Sequence, residues 1–225
     1  MLEYVMLVGF YKTSDKKRNE EIIFCLEQNS KHEFLKEIVV FNETDDDPLE
    51  SDKITYINVN KRLTYKQYFQ YANENHSGSR CIVLNADIVL TEDIRKLDYI
   101  NIERAFVCLT RWDSEGKKLQ MGADSQDVWI FEAPVNKQLT NSADYDLGVL
   151  FSDNVLSLLA YHSGYIPLNP AKDIVTKHIH SSDFRNQSKD AANKALNVTN
   201  GNYMLVHPNK IGEQVNVDFM TSARL

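Results

Sequence analysis

The run Arg80-Cys-Ile-Val-Leu-Asn85-Ala86-Asp87 ends an apolar segment in two short oxygen-bearing side chains at i and i+2. A short apolar run of this kind predicts a buried strand. In open α/β sheets, ligands bind beyond the carboxyl ends of the strands. Two such groups at a strand end can hold a hard divalent cation, directly or through water, while a ligand's phosphates complete the shell. Asp87 supplies the charge and is the better ligand. Asn85 is the weaker one, suited also to a ribose or a water. Asn and Asp are equally at home where strands simply turn, so the tripeptide needs company before it signifies chemistry.

That company is spread along the chain. In Lys177-His178-Ile179-His180, spacing of i and i+2 puts both imidazoles on one side of an extended segment. One of them can ligate a metal while the other meets a phosphate. Ser152-Asp153-Asn154 follows Gly148 where a helix begins, so Asp153 is either a helix cap or a general base aimed at a hydroxyl. Asp127, in Ser125-Gln126-Asp127-Val128-Trp129-Ile130-Phe131, starts an apolar strand and can project into the same cleft. Arg62-Leu63-Thr64-Tyr65 stands at a helix start, where backbone N–H groups, a cation and an aromatic ring suit a diphosphate or a nucleobase. Phe10 or Tyr11, in the first loop, can pack on such a base, and Lys12 or Arg62 can offset charge on a leaving diphosphate.

The elements needed to position these residues alternate strand and helix. Tyr4 to Gly9, Glu37 to Phe41, Ile54 to Val59, Cys81 to Leu84, Phe106 to Thr110 and Val128 to Phe131 read as strands. Helices are expected from Ser14 or Asp15 to about Asn29, after Thr64, and from Asp153 to Ser163, the last ended by Gly164. The alternation predicts an α/β fold with a mostly parallel sheet. Residues from about 186 onward are polar and read as an irregular extension wrapping the body.

Composition narrows the classes. The chain has 225 residues and a net charge of −7, which argues against a broad nucleic-acid or anionic-membrane footprint but leaves room for a local basic pocket. Cys25, Cys81 and Cys108 each lie in an apolar run, which predicts buried free thiols in a reducing compartment. No run approaches a membrane span, and the first strand lacks the marks of a signal peptide. There is no Walker A loop and no G-x-G-x-x-G, G-x-S-x-G or H-E-x-x-H motif. Gly9-Phe10-Tyr11-Lys12 also differs from the Gly-rich, Arg-bearing loop of sugar nucleotidyltransferases.

In order and spacing, VGFY, RLTYKQYF, CIVLNADIVL, LTRWD, SQDVWIF, SDNVLSLLAYHSGYIPLNP and KHIHSSDFR resemble the GT-A glycosyltransferases. They are most similar to small single-domain members of the chlorella virus rhamnosyltransferase type. The resemblance runs from Tyr4 to about Arg185 and implies one GT-A-like catalytic domain over residues 1–225. It implies a mixed, mostly parallel sheet flanked by helices, with the extension from about 186 packing on the body. It also implies transfer of a hexose or deoxyhexose from a nucleotide-sugar donor, with uridine as the base, to a glycan acceptor. Asn85-Ala86-Asp87 takes the place of the metal and nucleotide motif, with Asn where the family often has Asp. Mn²⁺ or Mg²⁺ is the implied cofactor, and His180 or His178 completes its shell. Phe10, Tyr11, Arg62, Thr64 and Tyr65 are the implied donor-binding residues. Asp153 falls at the acidic motif that supplies the base in inverting members, with Asp127 as the alternative. The implied compartment is the cytoplasm, that of the host for a viral member. On the residues alone, a non-catalytic sugar-nucleotide or glycan-binding module and a metal-dependent nucleotidyltransferase or hydrolase remain open.

Overall fold

The computed structural model describes residues 2–120, 122–182 and 188–222. Strand β1 (Tyr4–Phe10) is followed by helix α1 (Lys16–Ser30), whose cap Asp15 accepts the Arg18 N–H. Next come β2 (Leu35–Asn42), β3 (Ile54–Asn58), α2 (Tyr65–Asn75), β4 (Arg80–Leu84), the short β5 (Ile88–Val89) and a 3-10 helix, Glu92–Tyr99. Then follow β6 (Ala105–Thr110), β7 (Gln126–Glu132), α3 (Lys137–Ser142), α4 (Ser152–His162), β8 (Ile166–Leu168) and β9 (Lys177–His178). The chain closes with α5 (Lys189–Val198) and the hairpin β10 (Asn202–Val206) and β11 (Val217–Thr221).

The main sheet has the order β3-β2-β1-β4-β7-β6-β8. All neighbours run parallel except the two pairs made by β7. Both faces are covered, so the strands alternate between two cores. Leu7, Phe41, Val83, Trp129 and Phe106 face the layer of α2 to α5. Met6, Val40, Ile82, Ile130 and Val107 face the layer of α1 and the 3-10 helix. Every residue of β4 is buried, as expected for a strand at the centre of such a sheet.

The antiparallel β7 decides where the site forms. Leu84 pairs with Val128, so the end of β4 and the start of β7 meet at one edge. Asn85 N–H donates to the Asp127 carbonyl at 3.0 Å. Strand β6 ends at the same edge, placing Arg111 beside Asp127. A second small sheet joins β5 to β9, with Ile88 opposite His178, and Ile179 N–H donates to the Asp87 carbonyl at 2.8 Å.

The segment expected to be irregular after about 186 carries a helix and a β-hairpin within its described residues, 188–222. Ala192, Ala195 and Leu196 form the buried stripe of α5, and Met204 and Val206 of β10 enter the core of α4. Small residues at helical spacing gave too weak an apolar signal to be read as a helix. Asp183 to Arg185 of the KHIHSSDFR segment lie outside the described residues. Among the described residues no helix is long and apolar enough to cross a membrane.

Candidate active site

A cleft of about 380 Å³ opens at the edge where β1, β4, β6 and β7 meet β9, a volume suited to one small-molecule ligand. Tyr11, Arg62, Asn85, Ala86, Asp87, Asp127, Asp153, His178 and His180 all line it. Four of the predicted residues do not. Phe10 shares the parity of Met6 and Val8 along β1, so its ring is buried in the α1 core. Thr64 caps α2 through a capping box with Gln67, and Tyr65 is fully buried. The N–H groups of Tyr65 and Lys66 already donate to the carbonyls of Tyr145 and Ala143. That helix start therefore has no donors to offer a diphosphate. Lys12 pairs with Asp46 rather than with the cleft.

The first half of the site is built on Asp87, which is 6% exposed. Its Oδ2 lies 2.8 Å from Arg18 Nη2, 3.0 Å from His178 Nε2 and 3.2 Å from His180 Nδ1. Burial alone would raise the Asp87 carboxyl; the two histidines and the Arg18 charge instead hold it well below the usual carboxylate range. Glu21, one turn along α1, anchors the same strand. It accepts the backbone N–H and hydroxyl of both Ser181 and Ser182, and Arg18 pairs with it. Against its burial, these donors bring the Glu21 carboxyl down to about 2.

One donor atom from each of Asp87, His178 and His180 lies within 4.8 Å of the others. One carboxylate with two imidazoles fits a divalent transition-metal ion, and suits Mn²⁺ better than the strictly oxygen-seeking Mg²⁺. Asn85 is not part of this set. Its Nδ2 donates to Asp127 Oδ1, and its buried Oδ1 has no partner. A Cβ on Gly148, which has φ +77°, would stand 3.3 Å from that oxygen.

The second half is acidic. Asp127, 5% exposed, pairs with Arg111 Nη1 at 2.8 Å. Asp153 lies in the first turn of α4 but is not its cap. That position is Phe151, with a left-handed φ of 65°. Asp153 Oδ2 accepts the Gln126 N–H at 3.2 Å. A helix start favours an anion, yet burial and the neighbouring Asp127 charge push the Asp153 carboxyl up to about 7. Desolvation and like charge thus outweigh the dipole and the backbone donors. Ser125 Oγ and Trp129 Nε1 line the same region and are buried without partners. At the far end, the Arg62 guanidinium sits 4.8 Å from the Tyr11 ring centre and faces Glu43. Arg18, Arg111, Glu43 and Trp129 were not singled out in the sequence, where each reads as an ordinary surface or core residue.

No family model matches the sequence, and no curated protein does. Solved structures do. The chain is similar to a mannosyltransferase from Pyrobaculum calidifontis in complex with GDP-Man and Mn²⁺, with TM-score 0.52 and 12% identity over 80% of this chain. It spans 58% of that protein's length. It is similar to the catalytic domain of Drosophila β1,4-galactosyltransferase 7 in complex with xylobiose, with TM-score 0.55 and 14% identity, covering 99% of this chain and 95% of the other. A putative glucose-1-phosphate thymidylyltransferase from Bacillus anthracis is also similar, with TM-score 0.50 and 10% identity, covering 79% of this chain and 89% of the other. These neighbours share an architecture rather than a sequence: the chain has the GT-A fold.

Proposed function

We propose that the protein is a glycosyltransferase that moves a sugar from a nucleoside-diphosphate donor to a hydroxyl of a glycan acceptor. One observation carries the reading. A triad with the ligand set for a cation and a weakly acidic carboxylate, Asp153, face one cleft at the strand ends of a GT-A fold. The donor we infer is a UDP-sugar whose base packs near Tyr11 and Arg62. The sugar is a hexose or a deoxyhexose; the resemblance to small viral rhamnosyltransferases makes a deoxyhexose donor worth testing.

Asp87, His178 and His180 would hold Mn²⁺ or Mg²⁺, which when bound supplies positive charge to the departing diphosphate. Arg62 adds to it at the nucleotide end. Asp153 takes the acceptor proton as the glycosidic bond forms, with a basicity matched to neutral pH. Asp127 is tied up by Arg111 and Asn85, so it orients the acceptor side rather than serving as the base. Ser125 Oγ and Trp129 Nε1 have hydrogen-bonding capacity left for sugar hydroxyls.

The test is a panel of nucleotide sugars with Mn²⁺, followed for release of nucleoside diphosphate with and without glycan acceptors. Release that depends on Asp153 is the expected result. Asn85, in place of a second carboxylate, favours one other reading, a non-catalytic module. Donor binding with no release under any acceptor would establish it, and pyrophosphate formation would identify a nucleotidyltransferase.

A further inference from the structure

We infer that Arg18 and a divalent cation are rival occupants of Asp87, and that a nucleoside diphosphate relieves the rivalry. The inference rests on the metal site proposed above. Arg18 is 5% exposed and crowds two of the three candidate ligand groups: its Nη2 donates to Asp87 Oδ2 at 2.8 Å, and its Nη1 lies 3.3 Å from His180 Nδ1. A metal needs the same Asp87 oxygen. A guanidinium keeps its charge at every accessible pH, so it cannot yield by losing a proton. It either moves or stands beside the cation at a cost that burial makes large.

The surroundings do not absorb that cost. Glu21, the second carboxylate on Arg18, is already engaged by four donors from Ser181 and Ser182. Asp87 and Glu21 together offset Arg18 and leave one negative charge for a dication. A diphosphate supplies what is missing. Arg18 lines the cleft, and its buried Nε has no partner, so donor capacity remains on the side chain for an anionic ligand. Metal and diphosphate then bind with positive coupling, and by linkage each strengthens the other equally.

Calorimetric titration of the full chain with Mn²⁺, alone and with UDP, tests this, with circular dichroism confirming the fold of each variant. Arg18→Gln keeps hydrogen-bonding capacity and drops the charge; it should bind Mn²⁺ alone at least tenfold more tightly than the wild type. Arg18→Lys, which keeps the charge, should stay within about threefold. UDP should tighten Mn²⁺ binding by a larger factor in the wild type than in Arg18→Gln. Equal or weaker Mn²⁺ binding by Arg18→Gln overturns the rivalry but spares the metal site if Asp87→Asn loses Mn²⁺. Undiminished Mn²⁺ binding by Asp87→Asn, or none by any variant, overturns the site and this inference together.

Discussion

Asp87 and Asp153 belong to one cleft and have opposite surroundings. Asp87 is well supplied with partners: the Arg18 guanidinium and the ring nitrogens of His178 and His180 converge on a single oxygen. Asp153 is undersupplied, because Arg111, a guanidinium of the same cleft, is paired with Asp127. The same burial therefore ends in opposite outcomes, one carboxyl held far down and the other raised to about 7. Under the proposed function, the carboxylate that must keep its charge sits against a guanidinium and two imidazoles. The one proposed to exchange a proton is placed beside another carboxylate.

The sharpest way to break this contrast is to neutralise each acid in turn. Asp153→Asn should lower turnover about 10³-fold with donor affinity nearly intact, the loss expected of a missing general base. Near-normal turnover would reduce Asp153 to a helix-start residue and pass the role to Asp127. Asp87→Asn should act on the other property, weakening Mn²⁺-dependent UDP binding about 100-fold in calorimetry. Undiminished metal-dependent affinity would remove Asp87 from the metal site.

Titration sharpens the contrast further. The raised Asp153 carboxyl binds its proton more tightly in the folded protein than in the unfolded chain, where a value near 4 applies. Folding stability should therefore fall as pH rises from about 4 to 7, and Asp153→Asn should abolish that fall. At pH 8 the variant should be the more stable by on the order of 2 kcal/mol in urea titrations, with no gain at pH 4. Equal stability at both pH values would show that Asp153 ionises normally. The rate should rise with pH through about 7. Removing the Arg111 charge leaves Asp127 uncompensated beside Asp153. Arg111→Gln should accordingly move the midpoint of that rise up by about half a unit to one unit. A midpoint that stays put or moves down would show that Arg111 does not hold the acidic pair in balance.

The two halves of the cleft also differ in how they could be read. The strand ends were legible because RCIVL and AFVCLT are continuous apolar runs, and Asp87 and the His pair followed from position and spacing. Phe10 could have been placed correctly from strand parity, since Gly9 and Phe10 point to opposite faces. Arg18 was not legible. In KKRNEE it looks like part of a solvated helix face, and its partners Asp87 and His180 lie 69 and 162 residues away. Thr64 was read correctly as a cap; what could not be seen was that residues 143–145 would take the neighbouring N–H groups. The basicity of Asp153 was not legible either, because it depends on burial and on Asp127, a strand away, rather than on its own helix.

The pairing of β5 with β9 spans only two residues on each strand, so the histidines sit on a short piece of backbone, held besides by Trp112 and Glu21, next to the seven-stranded sheet. Opening of that piece needs far less free energy than unfolding of the whole chain. The Ile179 amide, bonded to the Asp87 carbonyl, should exchange its hydrogen with solvent much faster than the amides of β1 and β4. Any ligand gripping Asp87 and both histidines would slow that exchange, making this one amide a built-in reporter of occupancy.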